Sequence, residues 1–265
     1  MICCKSSILL YVLISLGWYI RGASPRESTG STPLTMACKF KKVPRDGLNA
    51  VVFPINIAKA NHSRGWFFAQ AWSYGSIKNG AYVGLQPDLD GDDGHSRVRA
   101  VFSSFINGTK PTHKNCRNGA DGGPGVTCNV NVEVSYSHTL RLNVSTSGGG
   151  KWTGKLVDFK TGRKWVVGEW ILPSHFRGIG HMTTAFIEHW SSNTADYHEC
   201  RQIPATEATF GFPYSPTNGE RAEMWKPESH GNCGNYTKFI GKKTESGTEI
   251  RILGGSGSTT RRSVK

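Results

Sequence analysis

The stretch Val126-Thr127-Cys128-Asn129-Val130-Asn131-Val132-Glu133-Val134-Ser135-Tyr136 alternates apolar and polar side chains without a break. A period of two places one set on each side of an extended chain, so this segment reads as a β-strand with one buried and one wet face. Beyond a turn at Ser137-His138, Leu140, Leu142 and Val144 continue the pattern and put Arg141 and Asn143 toward solvent. Similar runs are Ala50–Ile57, Gly65–Tyr74, Ala81–Gln86, Ser96–Phe105, Lys151–Phe159, Arg163–Ile171, His181–Trp190, Ala208–Phe212, Tyr236–Ile240 and Glu249–Leu253. Lys78-Asn79-Gly80, Lys160-Thr161-Gly162 and Glu245-Ser246-Gly247 read as hairpin turns, and Ser147-Gly148-Gly149-Gly150 as a hairpin loop. No window carries a helical stripe. The expected fold is therefore all-β, an antiparallel β-sandwich or jelly roll.

Composition agrees. The 265 residues include 32 Gly and 12 Pro, with 37% apolar and only 19% charged residues, which excludes a helical bundle or coiled coil. Eight Trp, 12 Phe and 8 Tyr supply a core and exclude wholesale disorder.

Lys5 followed by the apolar run Ile8–Ile20 has the form of an export signal, too short to span a bilayer, and no second hydrophobic segment follows. The expected organisation is a signal peptide over 1–24, a flexible Ser/Thr/Pro segment over 25–37, one domain over 38–253 and a disordered basic tail over 254–265. Export suits the cysteines. Without Cys3 and Cys4 there remain Cys38, Cys116, Cys128, Cys200 and Cys233, an odd set. Proximity in the chain favours Cys116 with Cys128 and Cys200 with Cys233, among other arrangements, each bridge stabilising by about 3 kcal/mol. Cys38 is then free or joined to another chain in a disulfide-linked dimer. Asn61, Asn107, Asn143 and Asn235 head sequons for N-glycosylation.

An ordered set of local features carries a family resemblance. Ala81-Tyr82-Val83-Gly84-Leu85-Gln86 is followed by Val101–Phe105 and by Cys116 through Gly122–Gly125 to Cys128. Then come Lys151-Trp152-Thr153-Gly154 with Asp158 and Thr161-Gly162, then Gly168, Ile179, Glu188 and Cys200-Arg201-Gln202-Ile203-Pro204. Over residues 50–235 the chain resembles a family of secreted domains of unknown function from bacterial and fungal extracellular proteins, often beside carbohydrate-associated modules. The resemblance implies a compact all-β domain with the two bridges above, and no established activity. The acidic loop Asp88–Asp93, the sequons and the basic tail depart from it.

Four groups of residues could carry chemistry. Asp88, Asp90 and Asp92 present carboxylates at alternate positions, a spacing that suits calcium, although Asp93 and Arg99 break the EF-hand pattern. Among the tryptophans, Trp72 with Tyr74, and Trp152 with Trp165 at the two ends of a hairpin, are the expected exposed stacking residues for a sugar ring, with Gln86 as a nearby amide. Glu188 shares a strand face with Met182, Thr184, Phe186 and Trp190. If that face is the inner one, its pKa is raised and it suits acid–base work, with Glu169, Asp158 or His189 as partner. Finally, Lys39, Lys41, Lys42 and Arg45, then Lys160, Arg163 and Lys164, then Lys242 and Lys243, and the tail cations make a surface attractive to polyanions. The formal charge is +13, still strongly basic once Lys5 and Arg21 are removed. Serine-hydrolase and zinc-protease motifs are absent. The expected function is binding of extracellular glycan or another anionic surface, with no intracellular nucleic acid as partner. A carbohydrate-active hydrolase or lyase using Glu188 and a defence protein or toxin acting on anionic membranes are the alternatives.

Overall fold

The computed structural model describes residues 32–74, 77–174, 176–192 and 200–255. The expected signal peptide, the start of the flexible segment and residues 256–265 of the tail lie outside them. Among the described residues there are seventeen strands, two short 3-10 turns, Trp190–Ser192 and Asn232–Asn235, and one helical residue, Cys200. No helix among them is long and apolar enough to cross a membrane.

The strands are β1 (Leu34–Lys39), β2 (Ala50–Asn56), β3 (Trp66–Tyr74), β4 (Ile77–Pro87), β5 (Arg97–Ser104), β6 (Lys110–Pro111), β7 (Cys116–Ala120), β8 (Gly123–Glu133) and β9 (Thr139–Thr146). They continue as β10 (Lys151–Asp158), β11 (Lys164–Ile171), β12 (Ile179–His189), β13 (Thr206–Gly211), β14 (Glu223–Met224), β15 (Glu228–Ser229), β16 (Thr237–Thr244) and β17 (Gly247–Gly255). One antiparallel sheet runs β14-β1-β12-β3-β4-β5-β8-β7, with β15 also on β1; the other runs β16-β17-β13-β2-β9-β10-β11-β6. Their inner faces form one core, so the sandwich read from the alternation is borne out.

Glycines let the two sheets close on large rings. Phe102 of the first sheet stacks on Trp170 of the second with centroids 3.5 Å apart. A Cβ on Gly154 would meet the Phe102 ring at 2.6 Å, and one on Gly168 would meet the Cys128 and Cys116 sulfurs at 2.4 and 2.5 Å. Both disulfides, Cys116–Cys128 between paired β7 and β8 and Cys200–Cys233, have the expected partners.

Four expectations fail here. Residues 34–37 are not flexible, because Leu34, Met36 and Cys38 alternate with Thr35, Ala37 and Lys39 and bury against β12. Likewise β17 carries regular structure through Gly255, two residues into the expected tail. Cys38 is fully buried, with its thiol pushed up to about 12 by burial, so it presents no sulfur for a disulfide to another chain. Lys78-Asn79-Gly80 is no turn but part of β4, where Tyr74 pairs with Ile77. Gly80 serves a close approach instead, since a Cβ there would lie 2.8 Å from the Tyr74 ring.

Candidate functional site

Antiparallel pairing sets side chains of adjacent strands opposite one another on a common face, at about 4.8 Å between strands. On the outward face of the first sheet the register produces three rows. Glu188 lies opposite Phe67, whose other neighbour is Gln86, followed by Arg99 and Asn131. Beneath it run Thr35, Phe186, Ala69, Gly84, Val101 and Asn129. A third row holds Ala37, Thr184, Ala71, Tyr82, Ser103, Thr127 and Arg117.

This face is not simply wet. Phe67, Ala69 and Val101 form a second apolar cluster outside the main core, with Tyr82 and Phe186 packed on it. Phe67 is only 2% exposed. The cause is the small residues in the middle: a Cβ on Gly84 would stand 2.5 Å from Cε2 of Phe67, so the ring lies down across that glycine. Phe186 and Tyr82 meet Phe67 edge-on at 5.6 and 5.2 Å, and Phe105 meets Tyr82 at 5.2 Å. Phe186, Tyr82, Phe105, Gln86 and Glu188 are each half-buried.

Polar groups border the rings. The Tyr82 hydroxyl donates to the Asp121 carboxylate, 3.1 Å from each oxygen. Asp121 occupies the β7–β8 turn, where Ala120 pairs with Gly123, at φ 48° with Gly122 at 79°. Two successive left-handed residues make the type I′ hairpin turn that an Asp-Gly dipeptide favours, and this turn carries the carboxylate to Tyr82. Burial raises the Asp121 pKa, with the Tyr82 hydroxyl and the Arg117 charge pulling it back. The Tyr82 hydroxyl is itself raised, by burial first and then by the charge of Asp121, with Glu188 adding a smaller push. Two carboxylates thus act on one phenol. The amide oxygen of Asn129, oriented by its donor neighbours, accepts from Arg99 at 3.1 Å and Arg117 at 3.2 Å.

The residues singled out in the sequence scatter unevenly over the fold. Gln86 and Glu188 come together, in one row two strands apart, about 10 Å between backbones. The condition set for Glu188, that its face is the inner one, is not met: Thr183, Ala185 and Ile187 face the core, and Glu188 faces outward with Phe186 and Thr184. Of its expected partners, Glu169 and Asp158 lie on the second sheet, and His189, next to it in the chain, takes the opposite side of the strand. Glu169 lies on the second sheet, opposite Thr153, bonded to Lys151 at 2.8 Å and accepting from the Thr153 hydroxyl at 3.0 Å, and its pKa is lowered chiefly by Lys151. Asp158 pairs with His138 at 2.8 Å. His189, paired with Trp66 in register, packs edge-on against its ring at 4.8 Å and lies within 2.7 Å of the Ser192 hydroxyl; burial lowers its pKa. The acid that shares the Tyr82 hydroxyl with Glu188 is Asp121, which the sequence reading did not single out. Its signal was the Asp121-Gly122 dipeptide.

The expected stacking platform is absent. Trp72, Tyr74 and Trp152 are buried on the inner faces, with Trp72 against Phe53 and Tyr74 against Trp152. Trp165 is half-buried against the core, with the Arg163 guanidinium 4.9 Å over its ring. The acidic loop turns its carboxylates apart. Asp88 accepts from Nε of Arg64 at 2.6 Å and Asp90 sits 2.6 Å from Nδ1 of His62, so each carboxylate turns to a different base while Asp92 stays exposed. Among the described residues no three His, Cys, Asp or Glu side chains converge on a metal position. Of the sequon residues, Asn61, Asn107 and Asn235 are exposed and Asn143 is half-buried in the middle of the second sheet.

No family model matches this chain, and no curated protein does. Among solved structures it is similar to Scytalido-glutamic peptidase bound to a peptide-based transition-state analog, at 14% identity and a TM-score of 0.44, over 85% of this chain and 99% of that one. SCP-B, a member of the Eqolisin family of peptidases, is similar at 13% identity and a TM-score of 0.41, over 85% and 99%. The CBM2 module of Lactobacillus casei BL23 phage J-1 evolved Dit is similar at 13% identity and a TM-score of 0.32, over 58% and 68%. Likeness this distant brings no chemistry to this chain.

Proposed function

We propose that the protein is secreted and binds carbohydrate outside the cell, with the sugar on the outward face of the first sheet. The supporting observation is the cluster of half-buried rings, Phe186, Tyr82 and Phe105, bordered by Glu188, Gln86, Asn131 and Asp121. A pyranose has apolar C–H faces and a polar rim, so it needs aromatic surface beside amides and carboxylates. Two disulfides suit an oxidising compartment. The test is a glycan array probed with the oxidised protein and with Phe186→Ala, Gln86→Ala and Glu188→Gln. Binding that resists salt and falls about tenfold in each variant supports the reading. Silence on the array, or binding indifferent to all three substitutions, removes it.

Hydrolysis of the bound glycan is the second reading, favoured by one observation: Glu188 and Asp121 both act on the Tyr82 hydroxyl, and the Asp121 pKa is raised from its ordinary value. Release of reducing ends, lost in Asp121→Asn with binding retained, would establish it. Binding without any release leaves the protein a binder.

A further inference from the structure

The sandwich has an open edge. At one end of the first sheet β14 and β15 are two residues each, so the sheet stops short of β16, the edge strand of the second. Phe239, Gly241 and Lys243 of β16 lie opposite Ile252, Ile250 and Thr248 of β17 and share their inner face, which here looks out past the shorter sheet. The link between β14 and β15 crosses this opening. The Trp225 amide holds the link to the Ala37 carbonyl at 2.9 Å, and Pro227 sits so close to Gly241 that a Cβ there would fall 2.4 Å from its ring.

Between link and strand is a hollow of about 340 Å³ lined by Trp225, Lys226, Pro227, Phe239, Gly241, Lys243 and Thr248. Three features mark it as built for a ligand. Trp225 is 51% exposed, in a chain whose Trp66, Trp72, Trp152 and Trp170 are all buried. None of the ion pairs among the described residues involves Lys226 or Lys243: Glu223 is held by Lys41, and Glu249 is turned to Lys59 on the opposite face of β17. Thr248 is 1% exposed, yet its hydroxyl has no hydrogen-bond partner among the described residues. A buried hydroxyl without a partner is destabilising unless something satisfies it.

We propose that this hollow binds an acidic sugar unit, a pyranose carrying a carboxylate or sulfate. The indole takes the apolar face of the ring, Lys226 and Lys243 take the acid group, and the Thr248 hydroxyl bonds a ring hydroxyl. The hollow lies within the size range of small-ligand sites. Its residues are separate from those of the outward face of the first sheet, so this site stands whether or not that face binds glycan.

The test is calorimetric titration of the oxidised full chain with a galacturonic acid tetramer, a heparin tetrasaccharide and a neutral galactose tetramer. One or both acidic probes bind and the neutral one does not. Trp225→Ala and the double variant Lys226→Ala/Lys243→Ala each weaken binding about tenfold. Thr248→Val weakens it about threefold while leaving the melting temperature unchanged or higher, since the orphaned hydroxyl is gone. That pairing separates a ligand contact from a structural role. The control Lys155→Ala, on the outward face of the second sheet, stays within about twofold. An equal loss in the control, equal binding of the neutral probe, no binding of either acidic probe, or binding indifferent to Trp225→Ala overturns the proposal. So does a Trp225-dependent affinity found only for anionic vesicles or duplex DNA.

Discussion

The outward faces of the two sheets obey the same alternation and end up chemically unlike. On the second sheet, Arg141, Asn143, Lys155 and Glu169 face outward, and Arg141 lays its guanidinium 3.5 Å over the Phe159 ring at the sheet's margin. On the first sheet the equivalent layer is rings over Ala69, Ala71 and Gly84, with Tyr82 tied to the β7–β8 turn. Long cations reach solvent and keep their charge hydrated, whereas small residues let aromatic rings lie flat and bury one another. Facing away from the core is therefore not the same as facing water.

Four measurements break or sharpen this contrast. Phe67→Ala should destabilise by about 3–5 kcal/mol, as for a core ring, against less than about 0.5 kcal/mol for Lys155→Ala. Urea midpoints decide, and a Phe67 value near that of Lys155 would abolish the distinction between the faces. Gly84→Ala forces a methyl group into the Phe67 ring and should cost about 1–3 kcal/mol, measured the same way. Tyr82→Phe should cost about 0.5–1.5 kcal/mol by removing the hydroxyl that donates to the Asp121 carboxylate, and should raise the Asp121 pKa further in an NMR titration.

The smallest effect is a difference of sign. Asp121, raised by burial, holds its proton in the folded state above its ordinary value of 3.8. The unfolded chain loses that proton first, so stability falls as pH rises through this window, and Asp121→Asn should gain on the parent there. Asp158 is the opposite case. Burial alone would raise it, but hydrogen bonds from His138, Thr161 and Lys160 hold it below 3.8. Its contribution is present above that value and is lost as pH falls through the lower folded one, so Asp158→Asn should lose on the parent at neutral pH and converge with it in acid. Stability profiles of the two variants with the same slope would refute the assignment of the two environments.

Much of the fold was legible in local pattern. β8 and β9 stand where alternation placed them, and both bridges join the cysteines nearest in the chain. β1 was hidden by the Ser/Thr/Pro composition before it, although Leu34, Met36 and Cys38 carry the period of two. β6, β14 and β15 are two residues long, too short for any period to show. Of the site, Glu188 and Gln86 were singled out, Asp121 was missed although the Asp121-Gly122 dipeptide favours a hairpin turn, and Trp225 lay outside any recognised strand.

What the sequence by itself determined was the all-β class, the parity of each long strand and the pairing of the cysteines, because these depend on side chains two residues apart or a short loop apart. Only the tertiary structure decided which parity faces inward, and so turned Trp72, Tyr74 and Trp152 into the core and Glu188 outward. The physical reason is that alternation defines two faces without naming either. That choice comes from partners far along the chain, Leu34 opposite Ile187 and Glu188 opposite Phe67, and from which face meets the second sheet.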